Sequence, residues 1–519
     1  MLSESQNTET PGWSRRFVLK GMAAGVASGI ATGSACSSTT TAALPAAGKW
    51  SGFDAKIRKE FARQGNVGGA VALVSASKRL YTATIGRRSL GQRERVDEST
   101  HFAVGSTTKS MSSLLAATYV DRGKLDWDQK AVDAWPDFRA PTDALTATLR
   151  VRDLFGMSTG LTSTAANHLE YPSAADLLQS LVNLPVAAPP NTKFFYNNIV
   201  YAAGGYLPLL AQHAKLADLQ GAYAVDMLRS VFGPAAMTGA RIASDPRGLV
   251  TNYVRGNSLD LRGSAIQMPY GTTGSAAPAG GALASLNDVA AYVQLQLRGG
   301  VSVHGVRVVS ESNLAECWRP HVTVAIDPEL DPDLTSAGYG MGWLNHKYSD
   351  GTTLIWHNGA IDGFSAFIGF LPGHDLGLVV LNNMDSNQTG FLFFQYVLNV
   401  FLGEQFGLNK GVPAKVQALY DSRVRDLRAL GAKARAVQPA KVTPWLGYYE
   451  RGYQMVLDGG DLQMRLGSRI WPIKTLPDGS YLFSAGAFVD NKVGLTRDPD
   501  GASAVDVGTE HVRRTNGLD

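Results

Sequence analysis

Phe102-Ala103-Val104-Gly105-Ser106-Thr107-Thr108-Lys109 is the stretch on which the reading of this chain turns. It runs from an apolar, strand-like start through a glycine into a pattern with Met111, Leu114, Leu115 and Tyr119 at helical offsets. Arg122 and Gly123 then supply a helix stop. Residues three apart on a helix share a face, so the Lys109 amine is expected to reach the Ser106 hydroxyl. A neutral amine there can take the serine proton, and a helix start presents backbone N–H groups to a developing oxyanion. Spacing alone is weak, because Ser75-Ala76-Ser77-Lys78 repeats it. That second copy falls between the apolar runs 70–74 and 80–85, where a hairpin bend offers no helix to align the pair.

The chain has 519 residues, more than one compact core holds, with 45% hydrophobic and 18% charged residues and a formal net charge of +4. No basic block interleaved with aromatics marks a nucleic-acid partner. Ser14-Arg15-Arg16-Phe17-Val18-Leu19-Lys20 resembles a twin-arginine export signal, and the Gly/Ala-rich stretch 21–33 is too short to span a bilayer stably. Export from a bacterial cytoplasm, to the periplasm or its side of the membrane, is the expectation. Gly33-Ser34-Ala35-Cys36 resembles a lipoprotein cleavage site, which makes Cys36 a candidate lipidation residue and membrane anchor. Once Cys36 is acylated or removed, Cys317 alone remains and no intramolecular disulfide is available.

Helical spacing of Phe53, Ile57 and Phe61 precedes the two strand-like runs, and a mostly helical region extends from Ser106 to about residue 298. Within it Ser285-Leu286-Asn287-Asp288 reads as a capping box. Strands return at 353–357, 365–370 and 376–381, followed by an apolar helix at 391–402. The expected fold is therefore α+β: one antiparallel sheet built from both ends of this region, flanked by helices, with a site at the seam. Residues 413–437 read as an amphipathic helix with a solvated basic face, and short alternating runs from Trp445 onward as a small all-β domain. The expected division is an export signal at 1–36, a leader at 37–52, a catalytic domain at 53–410, a helical linker at 411–443 and a β domain at 444–519.

Two further pieces join the Ser106 pair. Tyr196-Asn197-Asn198 follows Phe194 and Phe195, and His357-Asn358-Gly359 ends a strand. A phenol beside the serine can pass a proton to a leaving group, an asparagine amide can orient lysine and substrate, and a glycine lets the strand approach closely. Singly, each has a structural reading as core ring, helix cap or strand-end histidine. In this order and context they form a constellation.

With these motifs the chain resembles the serine β-lactamase and penicillin-binding-protein superfamily, in its class C-like branch of esterases, D-aminopeptidases and other peptidases. The likeness extends to residues 151–161, Ala279-Gly280-Gly281, residues 338–343 and residues 359–364, and the last β unit is similar to a barrel-like appendage of some members. The resemblance implies that Ser106 is the acylated nucleophile, that Lys109 and Tyr196 share general acid/base work, and that Asn198 holds lysine and substrate. It implies an oxyanion hole from the N–H groups of Ser106 and Ala360, beside Gly359. With reference pKa values of about 10.4 for Lys and 10 for Tyr, supplying base at neutral pH requires about 4 kcal/mol of differential stabilisation, within the reach of burial.

Where the superfamily's penicillin-directed members have Lys-Thr/Ser-Gly, this chain has His357-Asn358-Gly359. A histidine is largely neutral at pH 7, so strict carboxylate recognition is disfavoured and the resemblance shifts toward peptidases, with His357 donating a hydrogen bond to substrate. The expected function is an exported serine hydrolase acting on small or unusual peptides. Carboxylesterase, β-lactamase and a penicillin-binding sensor without turnover are the alternatives. A rival nucleophile, Ser158 in Gly156-Met157-Ser158-Thr159-Gly160, needs a strand before it and a helix after it, whereas 149–155 reads as a short helix. No metal-ligand spacing and no cofactor motif is present.

Overall fold

The computed structural model describes residues 50–162, 171–243, 245–271, 273–385, 389–467, 469–486, 488–507 and 510–515. The export signal and Cys36 lie outside the described residues. Near its centre stands an eight-stranded antiparallel sheet in the order Arg79–Gly86, Gly68–Val74, Leu376–Asn382, Phe364–Leu371, Thr353–Ile361, Leu344–Tyr348, Leu334–Tyr339, Val322–Thr323. The two ends of the catalytic region meet in it: Ala70 pairs with Leu381 and Leu73 with Leu378. The fold is the α+β arrangement expected.

Three adjacent strands, Gly68–Val74, Leu376–Asn382 and Phe364–Leu371, are buried along their whole length. Continuous apolar runs of this kind require cover on both faces. Helices Ser51–Arg63 and Phe391–Phe406 pack together, with the Phe61 and Phe393 rings meeting edge to face at 5.3 Å. Helix Leu286–Leu297 covers the same strands and opens with the capping box, Ser285 accepting from the Asp288 N–H and Asp288 from the Ser285 N–H. The strands at 334–348 escaped the sequence reading. Leu334–Tyr339 is only half apolar, and its pattern is interrupted by Gly338.

The helix expected at 413–437 spans Val412–Lys433. Its exposed side carries Arg425, Arg428 and Lys433, whereas Arg423 lies on the buried side with Val416, Tyr420 and Leu427, is 4% exposed and forms an ion pair with Asp490. A guanidinium is buried there because a carboxylate from the last domain meets it in a bidentate contact. Residues Gly447–Tyr448 through Glu510–Arg513 make a second eight-stranded antiparallel sheet. Its first and last strands approach through a Tyr449–Arg514 bridge, so the sheet curls upon itself around Met455, Met464, Trp471, Ile473 and Phe483. A separate apolar cluster of Leu259, Leu261, Met384, Leu427, Leu482 and Val489 joins this sheet to the catalytic region.

Candidate active site

Ser106 sits in a single 3-10 turn, Gly105–Thr107, that feeds the helix Thr108–Asp121. The turn holds because Thr107 Oγ1 donates to the Val104 carbonyl at 2.9 Å and Thr108 Oγ1 to the Gly105 carbonyl at 2.7 Å. Gly105 takes φ +52°, open to glycine at little cost. The helix that follows is buried from Thr108 to Tyr119, polar positions included. Ser112 Oγ donates to the Pro278 carbonyl at 2.6 Å, and the Tyr292 hydroxyl to Ser110 Oγ at 3.1 Å. The helix is thus a central strut rather than a one-sided surface element, and it carries Lys109 inward while Ser106 stays partly exposed.

Around Ser106 Oγ the expected groups converge. Lys109 Nζ lies 3.0 Å away, and the Tyr196 hydroxyl donates to Oγ at 2.7 Å. Nζ also donates to Asn198 Oδ1 and to the carbonyl oxygen of Ala279, both at 2.7 Å. Two acceptor-only oxygens use the two N–H bonds of a neutral amine and leave its lone pair for the Ser106 hydroxyl proton. Burial, with Lys109 fully enclosed, holds its amine well below the usual lysine range. The same cause pushes the Tyr196 phenol upward, against a smaller opposing effect of its contact with Ser106, so Tyr196 keeps its proton.

The two asparagines divide their work. Asn197 is the helix cap, its side chain accepting from the N–H groups of Ile199 and Val200 at 3.0 and 3.1 Å. Asn198, the first residue of helix Asn198–Leu210, is thereby left to face Lys109.

Strand Thr353–Ile361 closes the site from the sheet side. Gly359 runs so near the Ser106 turn that a Cβ there would fall 1.9 Å from the Val104 carbonyl oxygen, and one on Gly105 would fall 2.8 Å from the Ala360 nitrogen. Ala360 is exposed beside the nucleophile's turn.

His357 is placed differently from the expectation of a substrate donor. It is 1% exposed, its Nδ1 is 2.5 Å from the Asn358 carbonyl oxygen, and its Nε2 is 3.1 Å from the Tyr339 hydroxyl. A carbonyl can only accept, so Nδ1 carries the proton and Nε2 accepts from Tyr339. Burial, with the nearby Lys109 second, holds the ring neutral, its pKa down at about 3, although the Asn358 carbonyl favours the charged form. Both ring nitrogens are therefore committed inside the protein, and the ring's service is to fix Tyr339 and the strand. Tyr339 and Ala279 are functional neighbours that the sequence did not single out. Their only signal was membership of the family-like segments 338–343 and 279–281.

The rival serines do not join this group. Ser158 follows helix Val151–Phe155 instead of a strand, is fully buried, and donates to Asn191 Oδ1 at 2.9 Å. Ser75 closes a hairpin bend, with its N–H donating to the Lys78 carbonyl at 2.8 Å.

A sheet assembled from both ends, a buried lysine under a serine at a helix start, and a close glycine strand define the class: residues 53–392 match the Beta-lactamase family, and the chain belongs to it. It is thereby a member of the beta-lactamase-fold serine hydrolases. Among particular proteins, it is 25% identical over 330 residues to an unguisins hydrolase of Aspergillus violaceofuscus, covering 60% of this chain and 58% of that protein. It is 21% identical over 334 residues to Protein flp of Staphylococcus aureus (strain COL), covering 62% and 61%. The chain thus aligns with about three-fifths of these relatives. In fold it is similar to the octameric penicillin-binding protein homologue from Pyrococcus abyssi, with a TM-score of 0.59 at 17% identity over 89% of this chain and 99% of that one. It is also similar to SurE, with a TM-score of 0.54 at 19% identity over 90% and 99%.

Proposed function

We propose that this chain hydrolyses amide bonds in small peptides, including ones with D- or other unusual residues, through an acyl-enzyme on Ser106. The observation that carries the reading is the proton arrangement at Oγ: two carbonyl-type acceptors occupy the Lys109 N–H bonds, and its lone pair faces the serine hydroxyl. Lys109 takes the Ser106 proton as Oγ bonds to the substrate carbonyl carbon. The oxyanion so formed is held by the N–H groups of Ser106 and Ala360. When the carbon–nitrogen bond breaks, the Tyr196 hydroxyl gives its proton to the leaving amine and is reprotonated from the Lys109 ammonium. Water then attacks the acyl carbon with the same groups working in reverse.

The peptide reading is supported by the absence of a permanent cation at position 357, and by the hydrolase name of the 25%-identical relative. Incubation with D- and L-residue peptides, p-nitrophenyl esters and one cephalosporin, followed by intact mass, tests it. Turnover of peptides with transient mass on Ser106 is expected. Exclusive ester turnover would replace it with an esterase, and a stable cephalosporin adduct with a sensor. Export and acylation at Cys36 belong to the same proposal, tested by the mass of the N-terminal peptide recovered from the membrane fraction.

A further inference from the structure

The strand that carries Gly359 and Ala360 turns back at Asp362-Gly363 into strand Phe364–Leu371. Asp362, two residues beyond Ala360, is met there by a residue from the far end of the chain. Arg469, the first residue of strand Arg469–Thr475 in the C-terminal sheet, forms an ion pair with it through Nε. The side chains are 9% and 22% exposed, so the pair is mostly withdrawn from solvent. Gly271 passes directly against both members, without room for a methyl group beside the carboxylate. The same turn is held from a third side, where the Gly363 N–H donates to Asp385 Oδ2 at 3.2 Å and the Asn257 N–H to the Gly363 carbonyl at 3.1 Å.

The segment that follows Asn257 is itself joined to the C-terminal sheet. Leu261 N–H donates to the Ser484 carbonyl and Gly486 N–H to the Leu259 carbonyl, both at 3.2 Å, and Asp260 bridges Ala485. The apolar cluster shared with Leu482 and Val489 and the buried Arg423–Asp490 pair complete the joint. The C-terminal sheet is thus seated at the open end of the strand that faces the nucleophile, with one buried guanidinium on that strand's turn.

We propose that Arg469 is a positioning residue for acylation: through Asp362 it holds the end of strand Thr353–Ile361 so that Ala360 presents its N–H beside Ser106. The C-terminal sheet is then a working part of the hydrolase. A charge-assisted contact of this type fixes geometry better than an exposed pair because little water competes for it. The inference rests on Ser106 as the nucleophile proposed above.

The test uses the full chain and p-nitrophenyl butyrate, with a fluorophosphonate probe for Ser106. Arg469→Gln and Asp362→Asn are each expected to lower kcat at least about tenfold with KM within about threefold, as loss of a transition-state contact requires. The double variant should be no worse than the singles, and the exchanged pair Asp362→Arg/Arg469→Asp should recover part of kcat. Either single variant with wild-type kcat overturns the proposal, as do singles whose losses multiply in the double variant. Should Arg469→Gln fail to fold, Asp362→Asn, which removes the more exposed partner's charge, carries the same decision. Failure of the wild-type chain to label at Ser106 is a separate result, and it sinks the nucleophile assignment itself.

Discussion

The carbonyl oxygen of Ala279 stands 2.7 Å from Nζ of Lys109, and that contact decides how the amine is used. Had the second acceptor been a hydroxyl, it could have donated instead, and the lone pair would not be directed at Ser106. A backbone carbonyl cannot donate. Together with Asn198 Oδ1 it leaves the lone pair of a neutral Lys109 amine directed at Ser106, as the proposed base requires.

Lys109→Ala is expected to reduce hydrolysis by about 10²–10⁴-fold, the usual worth of a general base, with Ser106→Ala below detection. Ser158→Ala removes only the hydrogen bond to Asn191, costing about 1 kcal/mol of stability with turnover preserved. Steady-state kinetics on the three variants decide between the serines. Activity lost with Ser158 and kept with Ser106 reverses the assignment.

The pH–rate profile should carry no limb from histidine. His357 is held at about 3, so its titration lies below the working range, while the phenol of Tyr196, raised by burial, gives no alkaline loss below about pH 10, its reference value. The acid limb of kcat/KM belongs to Lys109, whose amine must be neutral to act. An acid limb near 6.5 that disappears in His357→Gln would contradict this.

Stability should follow the same lysine. In the folded chain Lys109 is depressed by burial, whereas in the unfolded chain it holds its proton up to about pH 10.4. Unfolding therefore takes up a proton, and the stability contributed by this group rises with pH until that unfolded value is reached. The Tm of the wild type relative to Lys109→Met is expected to climb between pH 7 and 10. A constant difference in calorimetry would show that the amine is charged when folded.

Gly359→Ala should disable the site without touching a reactive group. Its Cβ would lie 1.9 Å from the Val104 carbonyl oxygen, so the strand or the Ser106 turn must shift. A destabilisation of about 1–3 kcal/mol is expected, with a loss of turnover larger than the fall in Tm explains. Gly373→Ala, with nothing within 4 Å, is the control and should change neither.

The site was legible where chemistry needs a side chain at a set spacing. Ser106 and Lys109 three apart, Tyr196 and Asn198 two apart and the glycine at 359 are local patterns: Lys109 and Tyr196 meet Ser106 Oγ, Asn198 meets Lys109, and Gly359 lies against the Ser106 turn. What could not be read were contacts made by backbone or by distant chain. The Ala279 carbonyl has no side-chain signature, and the joining of Arg469 to Asp362 spans a domain boundary that no periodicity crosses. The inward placement of His357 was hidden for a related reason: its ring partners are the next residue's carbonyl and a tyrosine in a strand that glycines concealed. Arg423 lies among the apolar positions of its helix, and helical spacing does not show the distant carboxylate of Asp490 that meets it there.

The pairing of strand Gly68–Val74 with Leu376–Asn382 also bears on how the chain acquires its structure. Until the second strand has been synthesised, the first can pair only with Arg79–Gly86, and its other edge, wholly apolar in side chains, stays open. High contact order slows such closure, and an uncovered strand edge is a template for association between nascent chains. A ribosome-stalled or truncated product ending just before residue 376 is therefore expected to aggregate: it carries its serine, its lysine and strand Thr353–Ile361, but lacks the strand that ties the two ends of the sheet together.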